Sequence, residues 1–207
     1  METTIYLIRH AETDSNRERR YQGHKDVPLN SFGDLQAIKL AQRFYDERIR
    51  IDAIYSSDLQ RAKQTAYKVA EKYNLEVNID IDLRERSFGK LEGLKTEDVG
   101  SLYADFDILK CNEPNIYDIE PYDSLKSRAY KSIYELSRRH VDNNIVIVSH
   151  GSTINSFLRE IDNMGIIEDC FRLINTSIST VIFNHQELEW KIIKVNDVAH
   201  IESREKS

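Results

Sequence analysis

Two histidines stand directly behind short apolar runs. His10 follows Thr4-Ile5-Tyr6-Leu7-Ile8-Arg9, and His150 follows Ile145-Val146-Ile147-Val148-Ser149. Arg9 adjoins the first, and Gly151 leads from the second into a helical segment, Ser152 to Glu160. Another arginine, Arg61, lies in the first turn of a further helical pattern. Two imidazoles and two guanidiniums of this kind suit an anion with several oxygens. Guanidinium matches phosphate geometry bidentately, and a helix N-terminus adds oriented N–H groups. A neutral imidazole among arginines is also a nucleophile toward phosphorus, with the arginines offsetting charge on the transferring oxygens. The leaving alkoxide then needs a proton, which a carboxylic acid can supply. Glu85, in Leu83-Arg84-Glu85-Arg86-Ser87-Phe88-Gly89, is the candidate. Each residue alone has a plainer reading: a structural strand-end histidine, a surface cation at Arg9, an i,i+3 partner of Asp58 at Arg61, a solvated charge at Glu85. The ordered conjunction carries the chemistry. His24, His140, His185 and His200 have no such context.

These groups meet only if the chain's elements bring them together. Continuous apolar runs mark strands buried on both faces, and Ala53-Ile54-Tyr55 is a third, shorter one. Between them run helical patterns: Leu35, Ile38, Ala41, Tyr45 and Ile49; Leu59, Ala62, Ala66, Val69 and Tyr73; Leu125, Ala129, Ile133 and Leu136. Ser57 or Asp58 is placed to cap the second of these. Two late strands, Ile178 to Phe183 and Glu189 to Val195, read as a hairpin around Asn184-His185-Gln186. The alternation predicts an α/β three-layer sandwich: a mostly parallel central sheet with helices on both faces. Ligands in such sheets bind at the carboxyl ends of strands, where both histidines fall. Residues from about 95 to 122, with Pro114 and Pro121, are less regular and read as a lid-like insertion in a single domain spanning residues 1–207.

Composition narrows the class. At 207 residues the chain suits one domain, and 40% hydrophobic with 31% charged residues excludes collagen-like and disordered chains. The net charge of 29 − 35 = −6 argues against a bulk electrostatic grip on nucleic acid. Cys111 and Cys170 form no CxxC and are expected as reduced thiols. No apolar run approaches the ~20 residues of a membrane span, and Met1-Glu2-Thr3-Thr4 enters a strand without a signal peptide. The expectation is a soluble cytoplasmic protein with neither a membrane nor a nucleic-acid partner.

Arg9-His10-Ala11-Glu12-Thr13 resembles the Arg-His-Gly-Glu-Thr signature of the histidine phosphatase superfamily, in its phosphoglycerate mutase-like branch. Further features follow in order. They are Asn16, Tyr21-Gln22-Gly23 through Pro28-Leu29-Asn30, and Ser56-Ser57-Asp58-Leu59-Gln60-Arg61-Ala62 through Thr65. Then come Leu83-Arg84-Glu85 through Gly89 and Gly93, Val148-Ser149-His150-Gly151, Asn175-Thr176-Ser177, and Asn196-Asp197 with Ala199-His200. The resemblance implies that His10 is a nucleophile forming phosphohistidine. It implies that Arg9, Arg61, His150 and Asn16 bind the phosphoryl group with help from the Gly151 N–H, and that Glu85 is general acid and then base. It also implies a small phosphorylated metabolite as substrate, and neither metal nor cofactor. No HxxxH, HxH or CxxC spacing argues for a metal.

The chain departs from the family pattern in places. Ala11 replaces the usual glycine, a cost only if φ is positive there. Tyr122-Asp123-Ser124 stands where related phosphatases often have Gly-Glu-Ser. Ser87-Phe88 replaces the mutases' His-Tyr, Ser152 replaces their Asn, and the insertion has no adjacent arginine pair. The main expectation is therefore phosphomonoester hydrolysis, most like the small cofactor-independent phosphatases. Phosphoglycerate mutation and non-catalytic phosphate-ligand binding are the alternatives.

Overall fold

The computed structural model describes residues 1–102, 117–165 and 172–202. The apolar runs become strands β1 (Glu2–Arg9) and β4 (Asn144–Ser149). They pair in parallel at the centre of a six-stranded sheet with β2 (Ala53–Ser56), β3 (Val77–Ile79), β5 (Ile178–Asn184) and β6 (Glu189–Asp197). The order is β3-β2-β4-β1-β5-β6. The first four strands of that order run parallel, and β5 and β6 add antiparallel. The β1–β4 register sets Ile8 opposite Val148 and Arg9 opposite Ser149. His10 N–H continues the ladder to the Ser149 carbonyl at 2.9 Å. Arg9-His10 and Ser149-His150 therefore leave the sheet side by side at its carboxyl edge.

Successive side chains of a strand face opposite ways, and both faces here are covered. Ile145 and Ile147 join Ile5, Leu7 and helices α5 (Tyr122–Arg139) and α6 (Gly151–Ile161) through Ala129, Ile133, Ile154 and Phe157. Val146 and Val148 face the other layer, where α2 (Ser31–Asp46) and α3 (Gln60–Tyr73) contribute Leu40, Ala41, Phe44, Ala62, Ala66 and Val69. The described residues also form three short helices: α1 (Asp14–Arg17), α4 (Thr96–Leu102) and α7 (Ala199–Glu202). Among the described residues, no helix is long and apolar enough to cross a membrane.

The structure corrects the reading of α2. The apolar series through Leu35, Ile38 and Tyr45 lies outward, at 57%, 46% and 57% exposure. The buried face is Gly33, Gln36, Ala37, Leu40, Ala41 and Phe44. The cause is the close approach of α2 to the chain after His10. A Cβ on Gly33 would lie 2.0 Å from the Glu12 carbonyl oxygen, and Gln36 Oε1 accepts the Glu12 N–H at 2.9 Å. A small and a polar residue make that contact, so counting apolar residues selects the wrong stripe.

The start of α3 is also corrected. Leu59 is its N-cap, with no side-chain cap of its own. Asp26, remote in sequence, accepts the Gln60 N–H at 2.6 Å, while Ser57 Oγ accepts from Leu59 at 3.3 Å. Asp58 instead takes two bonds from Arg84, at 2.7 and 2.5 Å. Within the segment read as irregular, α4 forms, and Val99 packs with Leu91 and Ile119. Residues 103–116 of that segment lie outside the described residues, as do Cys111, Cys170 and 203–207.

The two faces of α2 give a direct test. Phe44→Ala should cost about 3–5 kcal/mol in chemical denaturation, and Leu35→Ala within roughly 0.5 kcal/mol of nothing. Equal losses would mean the helix is turned the other way.

Candidate active site

At the end of β1 the His10 ring is buried and its Nδ1 lies 2.7 Å from the Ala11 carbonyl oxygen. A carbonyl oxygen only accepts. Nδ1 therefore carries the proton, and Nε2 keeps its lone pair. Ala11 does not adopt a positive φ, so its methyl brings no backbone strain. Its N–H donates to Thr65 Oγ1 at 3.0 Å, and that hydroxyl donates to the Arg61 carbonyl at 2.7 Å. The turn behind the nucleophile candidate is thus fastened to α3. The second ring, His150, is fully buried at the end of β4, its centroid 5.1 Å from that of His10.

Arg61 is fully buried in the first turn of α3. Its Nη1 and Nη2 donate to the Lys25 and Gly23 carbonyls at 2.9 and 2.8 Å. Gly23 has φ +51°, and a Cβ there would lie 2.0 Å from the Glu92 carboxylate. A side chain there would have to displace the Glu92 carboxylate and adopt a left-handed backbone that glycine takes without cost. Arg9 Nη1 donates to the Leu173 carbonyl at 2.5 Å. Each arginine is held by backbone carbonyls, and each keeps a buried Nε with no hydrogen-bond partner among the described residues. Both ring nitrogens of His150 are likewise without one. Unsatisfied buried donors cost about 1–3 kcal/mol each, a penalty that phosphoryl oxygens would relieve.

Glu85 is 9% exposed, not a solvated member of its charged run. Its Oε1 accepts from Arg86 N at 2.9 Å and from Ser152 N, in the first turn of α6, at 3.1 Å. Oε2 has only a longer approach to Ser152 N, at 3.4 Å, and is the oxygen freer to exchange a proton. A Cβ on Gly151 would stand 3.7 Å from Arg9 Nε and 3.9 Å from Glu85 Oε2. Gly151 therefore sits between the cation and the acid. Asn16 caps α1 reciprocally with Thr13. Asn175 Nδ2 bridges the His10 carbonyl at 2.9 Å and Asn16 Oδ1 at 3.3 Å. The structure thus gathers Arg9, His10, Asn16, Arg61, Glu85, His150 and Gly151 around one carboxyl edge of the sheet.

Three neighbours escaped the sequence reading. His24 Nε2 donates to the Glu85 carbonyl at 2.8 Å. Arg128, on α5, and Glu120, just before that helix, also hold the segment that carries Glu85. Their only signal in the sequence is charge, in a chain rich in charge. Asn175 belonged to a recognised tripeptide, but nothing in that tripeptide indicated the bond to His10.

Burial, Arg61 and Arg9 hold the His10 imidazole well below its usual value. Burial, Arg61 and His10 do the same to His150. Burial also lowers both guanidiniums, Arg9 and Arg61, to about 10, with Glu85 opposing the shift, so both stay cationic at neutral pH. Farther back, His200 Nε2 faces Thr176 Oγ1 at 3.1 Å, and burial next to Arg43 brings that histidine to about 4. The site therefore offers a neutral imidazole, fixed positive charge and a nearby carboxyl group. Among the described residues no group of three or more His, Cys, Asp or Glu could hold a metal ion.

The sequence profile of the histidine phosphatase superfamily (branch 1) matches residues 5–198. Phosphoglycerate mutase-like protein 4 of Arabidopsis thaliana is 35% identical over 206 residues, covering 96% of this chain and 86% of its own. The metal-independent phosphoserine phosphatase of Arabidopsis thaliana is 31% identical, over 97% of this chain and 84% of its own. Among solved structures, a histidine-to-alanine variant of phosphoserine phosphatase from Entamoeba histolytica, in complex with phosphoserine, superposes with a TM-score of 0.81. It is 29% identical, over 96% of this chain and 99% of that one.

The shifted imidazoles set the response to acid. In the unfolded chain a histidine titrates near ~6.5, whereas the folded His10 and His150 stay neutral well below that and His200 titrates at about 4. Between those limits the unfolded state binds more protons. Stability is therefore fully present above about pH 6.5 and is lost as pH falls, by about 1.4 kcal/mol per pH unit for each group. Imidazole NMR signals of His10 and His150 should not titrate between about pH 8 and pH 5.5. A midpoint near 6.5 for either would contradict the geometry.

Proposed function

We propose, from the premise that the chain belongs to the histidine phosphatase superfamily and hydrolyses phosphomonoesters, that His10 Nε2 is the nucleophile and Glu85 the proton donor. The observation that carries this reading is the bond from His10 Nδ1 to Ala11, which leaves Nε2 unprotonated among guanidiniums.

The substrate phosphoryl group sits among Arg9 Nε, Arg61 Nε, His150, the Gly151 N–H and Asn16. The Nε2 lone pair forms the N–P bond as the ester P–O bond breaks. Protonated Glu85 gives its proton to the leaving alkoxide oxygen, which departs as the alcohol. A water oxygen then attacks phosphorus, its proton passes to the Glu85 carboxylate, and the N–P bond breaks. Inorganic phosphate leaves, with His10 and Glu85 back in their starting states. The arginines act on charge that builds on the equatorial oxygens in transit, which is where electrostatic stabilisation lowers the barrier most. The substrate is a small phosphorylated metabolite, with phosphoserine, the ligand of a structural neighbour, first among those to try.

A phosphate-release screen over small phosphomonoesters should find turnover that EDTA leaves unchanged and His10→Ala abolishes. Rapid isomerisation of 3-phosphoglycerate without phosphate release would instead make the protein a mutase. Glu85→Gln should slow kcat/KM for an alkyl phosphate by about 10²–10⁴, and much less for an ester with a good leaving group. An unchanged alkyl rate would remove Glu85 from the role.

A further inference from the structure

Glu85 stands on irregular backbone between two single 3-10 turns, Ile81–Leu83 and Gly89–Leu91. Such a segment cannot satisfy its own carbonyls, and it has no ladder to keep a side chain aimed. Arg128 supplies what is missing. Its guanidinium has five N–H donors in a rigid planar fork, and five hydrogen bonds leave it. Nη1 donates to the Asp82 and Arg84 carbonyls, at 2.7 and 2.7 Å. Nη2 donates to the Glu85 carbonyl at 3.0 Å and to Glu120 Oε2 at 2.9 Å, while Nε donates to Glu120 Oε1 at 2.7 Å.

Glu120 extends the clamp past the acid. Its Oε2 accepts the Ser87 N–H at 3.2 Å, and its carbonyl accepts from Arg86 Nε at 2.8 Å. The ion pair is largely buried, at 19% and 15% side-chain exposure, so it is less screened than a surface pair. Residues 82 to 87 are thereby pinned on both sides of Glu85 to the long helix α5, a rigid element packed on the sheet. None of these bonds touches the pocket donors.

We infer that Arg128, locked by Glu120, is a positioning residue for the proton-transfer step: it fixes the backbone that aims Glu85 at the leaving oxygen. This rests on the reading of Glu85 as the acid. Arg128→Lys keeps the charge but not the planar fork, so the acid loses its aim while the nucleophile and phosphoryl donors remain. A small misplacement of a reacting group costs on the order of 10-fold to 100-fold in rate, and here that loss falls only on substrates that need the proton.

The test compares kcat/KM for β-glycerophosphate, an alkyl ester, with that for 2,4-dinitrophenyl phosphate, whose leaving group needs no proton. In Arg128→Lys the alkyl ester should lose roughly 10-fold to 100-fold more than the aryl ester. In the Glu85→Gln background the same change should leave the ratio between the two esters unaltered, because the two residues act through one step. A merely structural role would lower both esters together. Equal losses, no loss, or a selective loss that persists beside Glu85→Gln would each overturn the inference. If Arg128→Lys fails to fold, Glu120→Gln is judged by the same criteria. If Glu85→Gln alone shows no leaving-group dependence, the reading of Glu85 falls, an outcome separate from failure of the clamp.

Discussion

The hydrogen bond between His10 Nδ1 and the Ala11 carbonyl is the constraint on which the proposed chemistry depends. It gives the imidazole one tautomer and one orientation. Without it the proton could sit on either nitrogen, and the arginines around the ring would have no fixed lone pair to work beside. Those arginines have a second effect. Together with burial they disfavour the imidazolium, so the proposed nucleophile stays unprotonated in acid that would silence an exposed histidine. In the proposed reaction, positive charge for the phosphoryl oxygens and a neutral nucleophile are therefore one electrostatic arrangement, not two.

The scaffold's task is to hold this unfavourable cluster still. Two parallel strands in register deliver the two imidazoles side by side, and the crossover helices α3 and α6 bring Arg61 and Gly151 to the same edge. Backbone carbonyls at residues 23, 25 and 173 hold the arginines from behind. These acceptors are neutral. They orient each guanidinium without cancelling its charge, as a carboxylate would. Folding energy for the whole comes from apolar layers on both sheet faces, away from the site.

Much of this was legible in the sequence, for physical reasons that differ by element. Uninterrupted runs such as Ile145 to Val148 can hardly be anything but strands buried on two faces, and a histidine at the end of such a strand has few places to go. The α2 face was misread because its packing is made by Gly33 and Gln36 against the Glu12 backbone, a contact that no apolar count detects. The α3 cap was misread because Asp26 comes from another loop. Arg128 and Glu120 leave no signal for the same reason: their role lies in bonds to a backbone carbonyl and a backbone N–H, 43 and 33 positions away. Local patterns reveal elements and the residues at their ends; long-range polar contacts to backbone leave no spacing to read.

The most direct measurement traps the protein during turnover of a ³²P-labelled phosphomonoester, quenches in alkali and maps the label by peptide sequencing and ³¹P NMR. The account requires acid-labile phosphate on His10, joined through Nε2, formed and lost as fast as phosphate is released. Label joined through Nδ1, label on another residue, or phosphate release with no phosphorylated intermediate would contradict it.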